Sequence, residues 1–163
     1  MSAAAASPPF DLVVLMGLPA AGKSTFYAQR LAATHAHVSM DALPRHADKR
    51  RRQRALVDAA LARRQSLAVD NVNPTRAERA ELIGAARAAG ARVVGYWLDA
   101  PPRACLGRNA GRDGKARVPP VAIFTFAKRF EPPEAAEGFA ELWRVRAAGT
   151  AEAPSFELQP IDS

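Results

Sequence analysis

Short apolar runs alternate along the chain with longer stretches in which apolar residues recur at helical spacing. Residues 12–16 form an unbroken, β-branched run that stops at Gly17, as in a strand covered on both faces. Residues 24–34 predict a helix with Phe26 and Leu31 facing inward, and residues 37–40 a short second strand. Residues 49–64 are helical in period. Leu56, Val57, Ala60 and Leu61 make its inner face, and the opposite face carries KRRRQR at positions 49–54. Residues 66–69 read as a third strand ending in Asp-Asn, 75–90 as a helix closed by Gly90, and 92–98 as a fourth strand. A helix is expected over 101–107, followed by a polar segment, GRNAGRDGKARVP. Pro119 or Pro120 then opens a helix that carries Phe124 and Phe126 and ends near RFEPP; residues 156–158 predict a last short strand. Strands alternating with helices imply an α/β fold, a mostly parallel sheet with helices on both faces. A single domain is expected over residues 11–160, after a flexible tail at 1–10.

Bulk composition changes this picture little. At 163 residues, 48% hydrophobic and 24% charged, the chain has the make-up of one globular domain. The formal net charge of +7 favours a polyanionic partner such as nucleic acid or a nucleotide, although an Arg-rich, Ala-rich genome bias produces the same excess. The only cysteine, Cys105, has no nucleophile pattern around it and reads as a small apolar residue. A lone cysteine allows no disulfide within the chain. The opening MSAAAASPPFD lacks the basic and apolar regions of a signal peptide, and no apolar stretch approaches a membrane span. The expectation is a cytoplasmic protein with no membrane association.

Chemistry enters at GLPAAGKST, residues 17–25, which fits the phosphate-cradling pattern G-x-x-x-x-G-K-[ST]. Gly17 and Gly22 permit the tight curl and close approach that such a loop needs. The amides of Leu18, Pro19, Ala20 and Ala21 belong to the same cradle, proline excepted, since it has no N–H. Backbone N–H groups and the following helix N-terminus then favour an anion. Lys23 is placed to reach the β- and γ-phosphates, and Ser24, followed by Thr25, to hold Mg²⁺. The motif alone does not separate ATPases, GTPases and kinases; the base-reading N-K-x-D of GTPases does not occur.

Ligands of open parallel sheets sit beyond the C-terminal strand ends, so the acids there are candidates. Asp41 follows HVSM, where a carboxylate can take the proton of an attacking hydroxyl or orient it; the plainer reading is a helix N-cap. Asp70 ends an apolar run, as an acid that holds Mg²⁺ would, while Asp70 and Asn71 also suit turn capping. Asp99, before APP, reads as a cap or turn residue.

Taken in order, GLPAAGKSTF, HVSMDAL, AVDNVNPTRAER, GRNAGRDGKARVP and FAKRFEPPEAAEGF resemble the kinase domain of polynucleotide 5′-hydroxyl kinases over about residues 11–140. The resemblance implies a P-loop kinase fold with an arginine-containing lid and ATP-dependent, Mg²⁺-assisted transfer to the 5′-OH end of a nucleic acid. It further implies phosphate and metal roles for Lys23 and Ser24, a general-base role for Asp41, and a place by metal and acceptor for Asp70 and Asn71. Arg108 and Arg112 correspond to lid arginines closing over ATP. Being four residues apart, they are expected to share a helical face. The phage-type arginine three residues after the aspartate is replaced by Pro44, leaving Arg45 as the acceptor-side cation. The D-x-D-x-T motif of the companion phosphatase domain does not occur. The basic run 49–54 either contacts nucleic-acid phosphates or is the polar face of an amphipathic helix. Two rivals remain on sequence: a kinase of a small-molecule hydroxyl, and a non-catalytic nucleotide-gated module that binds nucleic acid.

Overall fold

The computed structural model describes residues 9–40, 43 and 48–162. Six strands form one sheet, in the order β2-β3-β1-β4-β5-β6. They are β1 (Asp11–Met16), β2 (Ala36–Val38), β3 (Leu67–Asp70), β4 (Arg92–Leu98), β5 (Glu141–Gly149) and β6 (Pro154–Pro160). All neighbouring strands run parallel except β6, which returns antiparallel to β5. The helices are α1 (Lys23–Arg30), α2 (Lys49–Ala62), α3 (Arg76–Ala88), α4 (Pro102–Ala110) and α5 (Pro120–Arg129). This is the α/β architecture that the strand–helix alternation predicts.

The period-two geometry of a strand explains how β1 builds two cores. Leu12, Val14 and Met16 face α2 and α3, packing with Val57, Leu61, Leu82 and Ile83. Val13 and Leu15 face the other way, packing with Phe26 of α1, Cys105 of α4 and Ile123 of α5. Every residue of β1 after Asp11 is therefore buried, which is why the strand reads as continuously apolar. Thr75 caps α3 by accepting from the Glu78 amide at 3.2 Å, and Pro102 sits in the first turn of α4. Among the described residues no helix is long and apolar enough to cross a membrane.

Several sequence expectations are corrected. The first helix stops at Arg30, with Leu31 buried just beyond it. Leu56, expected on the inner face of α2, is 47% exposed; Val57, Ala60 and Leu61 alone make that face. Phe10, assigned to the tail, is buried against the core, and its carbonyl accepts from Arg92 N at 2.9 Å. Asp99 is not merely a turn residue: its Oδ2 accepts from Arg144 Nε at 2.6 Å. Residues 141–149, given no element from the sequence, form β5. Its mixed burial and its Arg144 and Arg146 hide the period-two signal.

Among the described residues the most buried charge is Arg79 of α3, whose side chain is 0% exposed. Its Nε donates to Glu137 Oε1 at 2.8 Å and its Nη1 to the Asn73 carbonyl at 3.0 Å. A desolvated guanidinium so placed is costly to strand without its partner. Glu137→Ala is expected to destabilise the domain by about 3 kcal/mol in urea unfolding; a loss below about 1 kcal/mol, the range of an exposed pair, contradicts this role.

Candidate active site

The loop after β1 takes the conformation its glycines allow. Gly17 has φ +148° and Gly22 φ +106°, and a Cβ on Gly17 would lie 2.8 Å from the Leu98 carbonyl oxygen. Gly22 caps α1, so Lys23 begins the helix. The Lys23 ammonium is buried and donates to the Gly17 carbonyl at 2.7 Å and the Leu18 carbonyl at 2.9 Å. It thus lies along the loop that the phosphates of a nucleotide would fill.

Register places the acid beside this loop. Leu15 of β1 pairs with Asp70 of β3, which puts Asp70 at the same end of the sheet as Gly17. Ser24 Oγ donates to Asp70 Oδ2 at 2.9 Å. His37, on β2, brings Nε2 to 2.8 Å from the same oxygen. The imidazole is itself stacked on Tyr27, with ring centroids 4.2 Å apart and planes 18° from parallel. Tyr27 Oη in turn donates to the His35 carbonyl at 2.5 Å. His37 is the site-lining residue that sequence analysis passes over; its only signal is an imidazole inside a strand directly before SMD.

The turn after β3 ties the site together. Gly17 N donates to the Val72 carbonyl at 3.1 Å, locking the turn to the start of the phosphate loop. Asn73 is buried, has φ +46°, and donates from Nδ2 to the Leu15 carbonyl at 2.7 Å. Asn71 is engaged at both ends: Oδ1 accepts from Met40 N at 3.0 Å, and Nδ2 donates to Gln53 Oε1 at 2.5 Å. Asn71 thus anchors the chain one residue before Asp41. Asp41 itself, and Arg45, lie outside the described residues.

The arginines arrive from α4. Arg108 lies within the helix, and its Nη1 donates to the Ala21 carbonyl at 2.9 Å. Arg112 does not continue that helical face, because Gly111 ends the helix before it; its Nη1 donates to the Ala116 carbonyl at 3.3 Å. Both arginines nonetheless line one cleft of about 420 Å³ with Gly22, Thr25, Gly149 and Phe156. Cys105 senses their charge. Burial pushes its thiol pKa up, while Lys23, Arg108 and Arg112 pull it down. With Sγ turned toward the Ala100 carbonyl at 3.8 Å, it is the inert packing residue its sequence context suggests.

Of the residues singled out from the sequence, the structure brings together Gly17, Leu18, Pro19, Ala20, Ala21, Gly22, Lys23, Ser24, Thr25, Asp70, Arg108 and Arg112. The oxygen pair of Ser24 and Asp70 suits a hard cation that takes its remaining ligands from phosphates and water. Among the described residues no group of three or more His, Cys, Asp and Glu side chains is placed to hold a metal ion by itself.

Comparison with known proteins now decides the family. Residues 12–133 match AAA_33, an AAA domain. The chain belongs to the AAA_33 family. A Schizosaccharomyces pombe protein described as a bifunctional polynucleotide phosphatase/kinase is 27% identical over 139 residues, 83% of this chain. The chain spans only 33% of that relative's length. A solved fungal RNA kinase superposes with a TM-score of 0.66 at 13% identity, over 90% of this chain and 40% of the other. A gluconokinase from Sinorhizobium meliloti superposes with a TM-score of 0.61 at 22% identity, over 88% and 86% of the respective chains. This AAA_33 domain thus has the P-loop kinase fold, and its structural neighbours include kinases of nucleic acid and of small molecules.

Within this family member, His37 holds the oxygen of Asp70 that Ser24 also touches, so it is expected to set the carboxylate's orientation. His37→Ala is expected to raise the Mg²⁺ concentration that half-saturates nucleotide binding by about tenfold, read by fluorescent-nucleotide titration, with metal-free affinity unchanged. His37→Gln, which keeps a donor, should restore most of it. Equal weakening with and without Mg²⁺ would instead mean a general packing role.

Proposed function

We propose that this domain transfers the γ-phosphoryl group of ATP to a hydroxyl, and that the acceptor is the 5′-OH end of a nucleic acid. One observation carries the proposal: the adjacent residues Asp70 and Asn71 hold, respectively, the helix that opens after the phosphate loop and the segment that leads into Asp41. Asp70 receives the Ser24 hydroxyl on the phosphate side, while Asn71 holds Met40 N, next to Asp41, on the acceptor side. A module that merely binds nucleotide has no need to tie the segment that leads into Asp41 to the residue beside Asp70. The S. pombe relative's description as a polynucleotide phosphatase/kinase supports the choice of acceptor, though only a third of that protein is matched.

The mechanism follows from the residues. The loop amides and the Lys23 ammonium hold the β- and γ-phosphates. Ser24 and Asp70 would hold Mg²⁺, which would supply neutralisation of phosphate charge. The cleft beside Gly22 and Thr25 gives the nucleoside room, and Arg108 and Arg112 at its wall meet the charge that builds on the transferring group. Asp41 accepts the proton of the 5′-hydroxyl as that oxygen bonds to the γ-phosphorus. The bond from that phosphorus to the β,γ-bridging oxygen breaks, and ADP leaves.

A second reading is a small-molecule kinase, favoured by the gluconokinase likeness over most of both chains. Incubation with labelled ATP, offering 5′-OH oligonucleotides against a panel of sugars and nucleosides, separates the two. Label on oligonucleotide ends is expected; label on metabolites alone would falsify the nucleic-acid assignment. Asp41→Asn is expected to lower transfer by about a hundredfold or more while nucleotide affinity stays within about twofold of wild type. Undiminished transfer removes Asp41 from the mechanism.

A further inference from the structure

The phosphate side of the site accounts for Lys23, Arg108 and Arg112, but a second concentration of cations stands on the acceptor side. There α2, α3 and α5 meet around Glu78. Arg50 Nη2 lies 2.9 Å and Arg129 Nη2 3.2 Å from the same Glu78 Oε1. Their side chains are 75% and 49% exposed, so one carboxylate faces two guanidiniums that remain open to solvent. Next to Arg50, the exposed Arg51 and Arg52 line a shallow hollow of about 330 Å³ with Asp48 and Ala55. Among the described residues, no carboxylate lies within 4.0 Å of the Arg51 or the Arg52 guanidinium.

Two features separate this from an ordinary polar helix face. First, further along α2 the ordinary arrangement is present for contrast: Arg54 is matched by Asp58 one turn later at 2.9 Å. The charge excess is confined to the first turns. Second, those turns are fastened to the site, because Gln53 Oε1 accepts from Asn71 Nδ2, and Asn71 also holds Met40 N beside Asp41. The other wall is fastened too. Glu131, just past α5, donates its amide to the Pro74 carbonyl at 2.7 Å and accepts from Arg76 N at 3.1 Å. Both α2 and the end of α5 are thus fastened to the turn after β3, and their arginines Arg50 and Arg129 converge on Glu78 beside it.

A small hydroxyl compound ends where its hydroxyl ends and leaves such a rim without a role. A nucleic-acid strand continues past its first nucleotide with one negative charge per residue. We propose that Arg50, Arg51, Arg52 and Arg129 form a docking lane for the phosphate backbone of the acceptor strand, downstream of its 5′ end. The lane rests on the nucleic-acid acceptor proposed above and adds where the strand runs. Its contacts are to phosphates, so it positions the strand without reading sequence.

The test is the double variant Arg51→Ala/Arg52→Ala, compared with wild type on 5′-OH strands of two and of about twelve nucleotides. Phosphorylation kinetics are joined by anisotropy binding of the longer strand from about 50 to 200 mM salt. The lane predicts a KM about tenfold higher for the long strand at unchanged kcat, and unchanged constants for the dinucleotide. The slope of log affinity against log salt should become shallower by about 1.4, two phosphate contacts' worth. The Arg51→Lys/Arg52→Lys variant, with charge kept, should retain the wild-type salt slope. Equal losses on both lengths, or an unchanged salt slope in the alanine variant, overturn the lane while leaving the acceptor assignment standing. A wild-type protein that labels neither strand overturns both.

Discussion

Leu15 and Asp70 sit side by side in neighbouring parallel strands, and that register decides where the chemistry is placed. Shifting β3 by one residue would turn its side chains to the opposite face of the sheet. Asp70 would then leave Ser24, and Val72 would leave the Gly17 amide. The register is held by burial on both faces, since all of Leu67, Ala68 and Val69 are inaccessible to solvent. The polar residues at the strand end inherit their precision from an apolar core they do not contribute to. Asn73 reinforces the arrangement by spanning from the turn back to β1.

The site is electrically divided. One side concentrates cations from three segments, Lys23 from α1, Arg108 from α4 and Arg112 from beyond it, and their common field reaches Cys105. Between this side and the opposite rim lies the buried carboxylate of Asp70, shared between a hydroxyl and an imidazole. The opposite rim is again cationic, built on α2 and α5. On the proposed function, a negatively charged donor and a negatively charged acceptor strand would each meet a positive wall, with Asp70 between them.

Much of this is visible in the chain before folding, for a physical reason. Glycines at Gly17 and Gly22, a lysine opening a helix and an acid closing an apolar run are local features whose spacing determines their geometry. What stays hidden depends on neighbours distant in sequence. His37 gains its role only because β2 lies beside β3, and a three-residue strand announces no such partner. Asn71 reads as an acceptor ligand, yet both ends of its amide are committed to Met40 and Gln53, a pairing that needs α2 folded across the strand end. β5 is masked because its half-buried Trp143 and Arg144 break the alternation, although its register with β4 runs over several residues. Arg112 shows a subtler limit: spacing suggests a shared helical face, but Gly111 closes the helix first, and the cleft reunites the two arginines by another route.

The borders of the sheet carry a further consequence. One border is β2, only three residues long; the other is β6, which begins at Pro154 and finishes at Pro160. Proline has no amide hydrogen to offer a passing strand, and a short border exposes few ladder positions. Neither margin is a good template for another extended chain. A domain whose surface is crowded with arginine, and whose proposed task brings it against long polyanions, is in this way protected from self-templated aggregation.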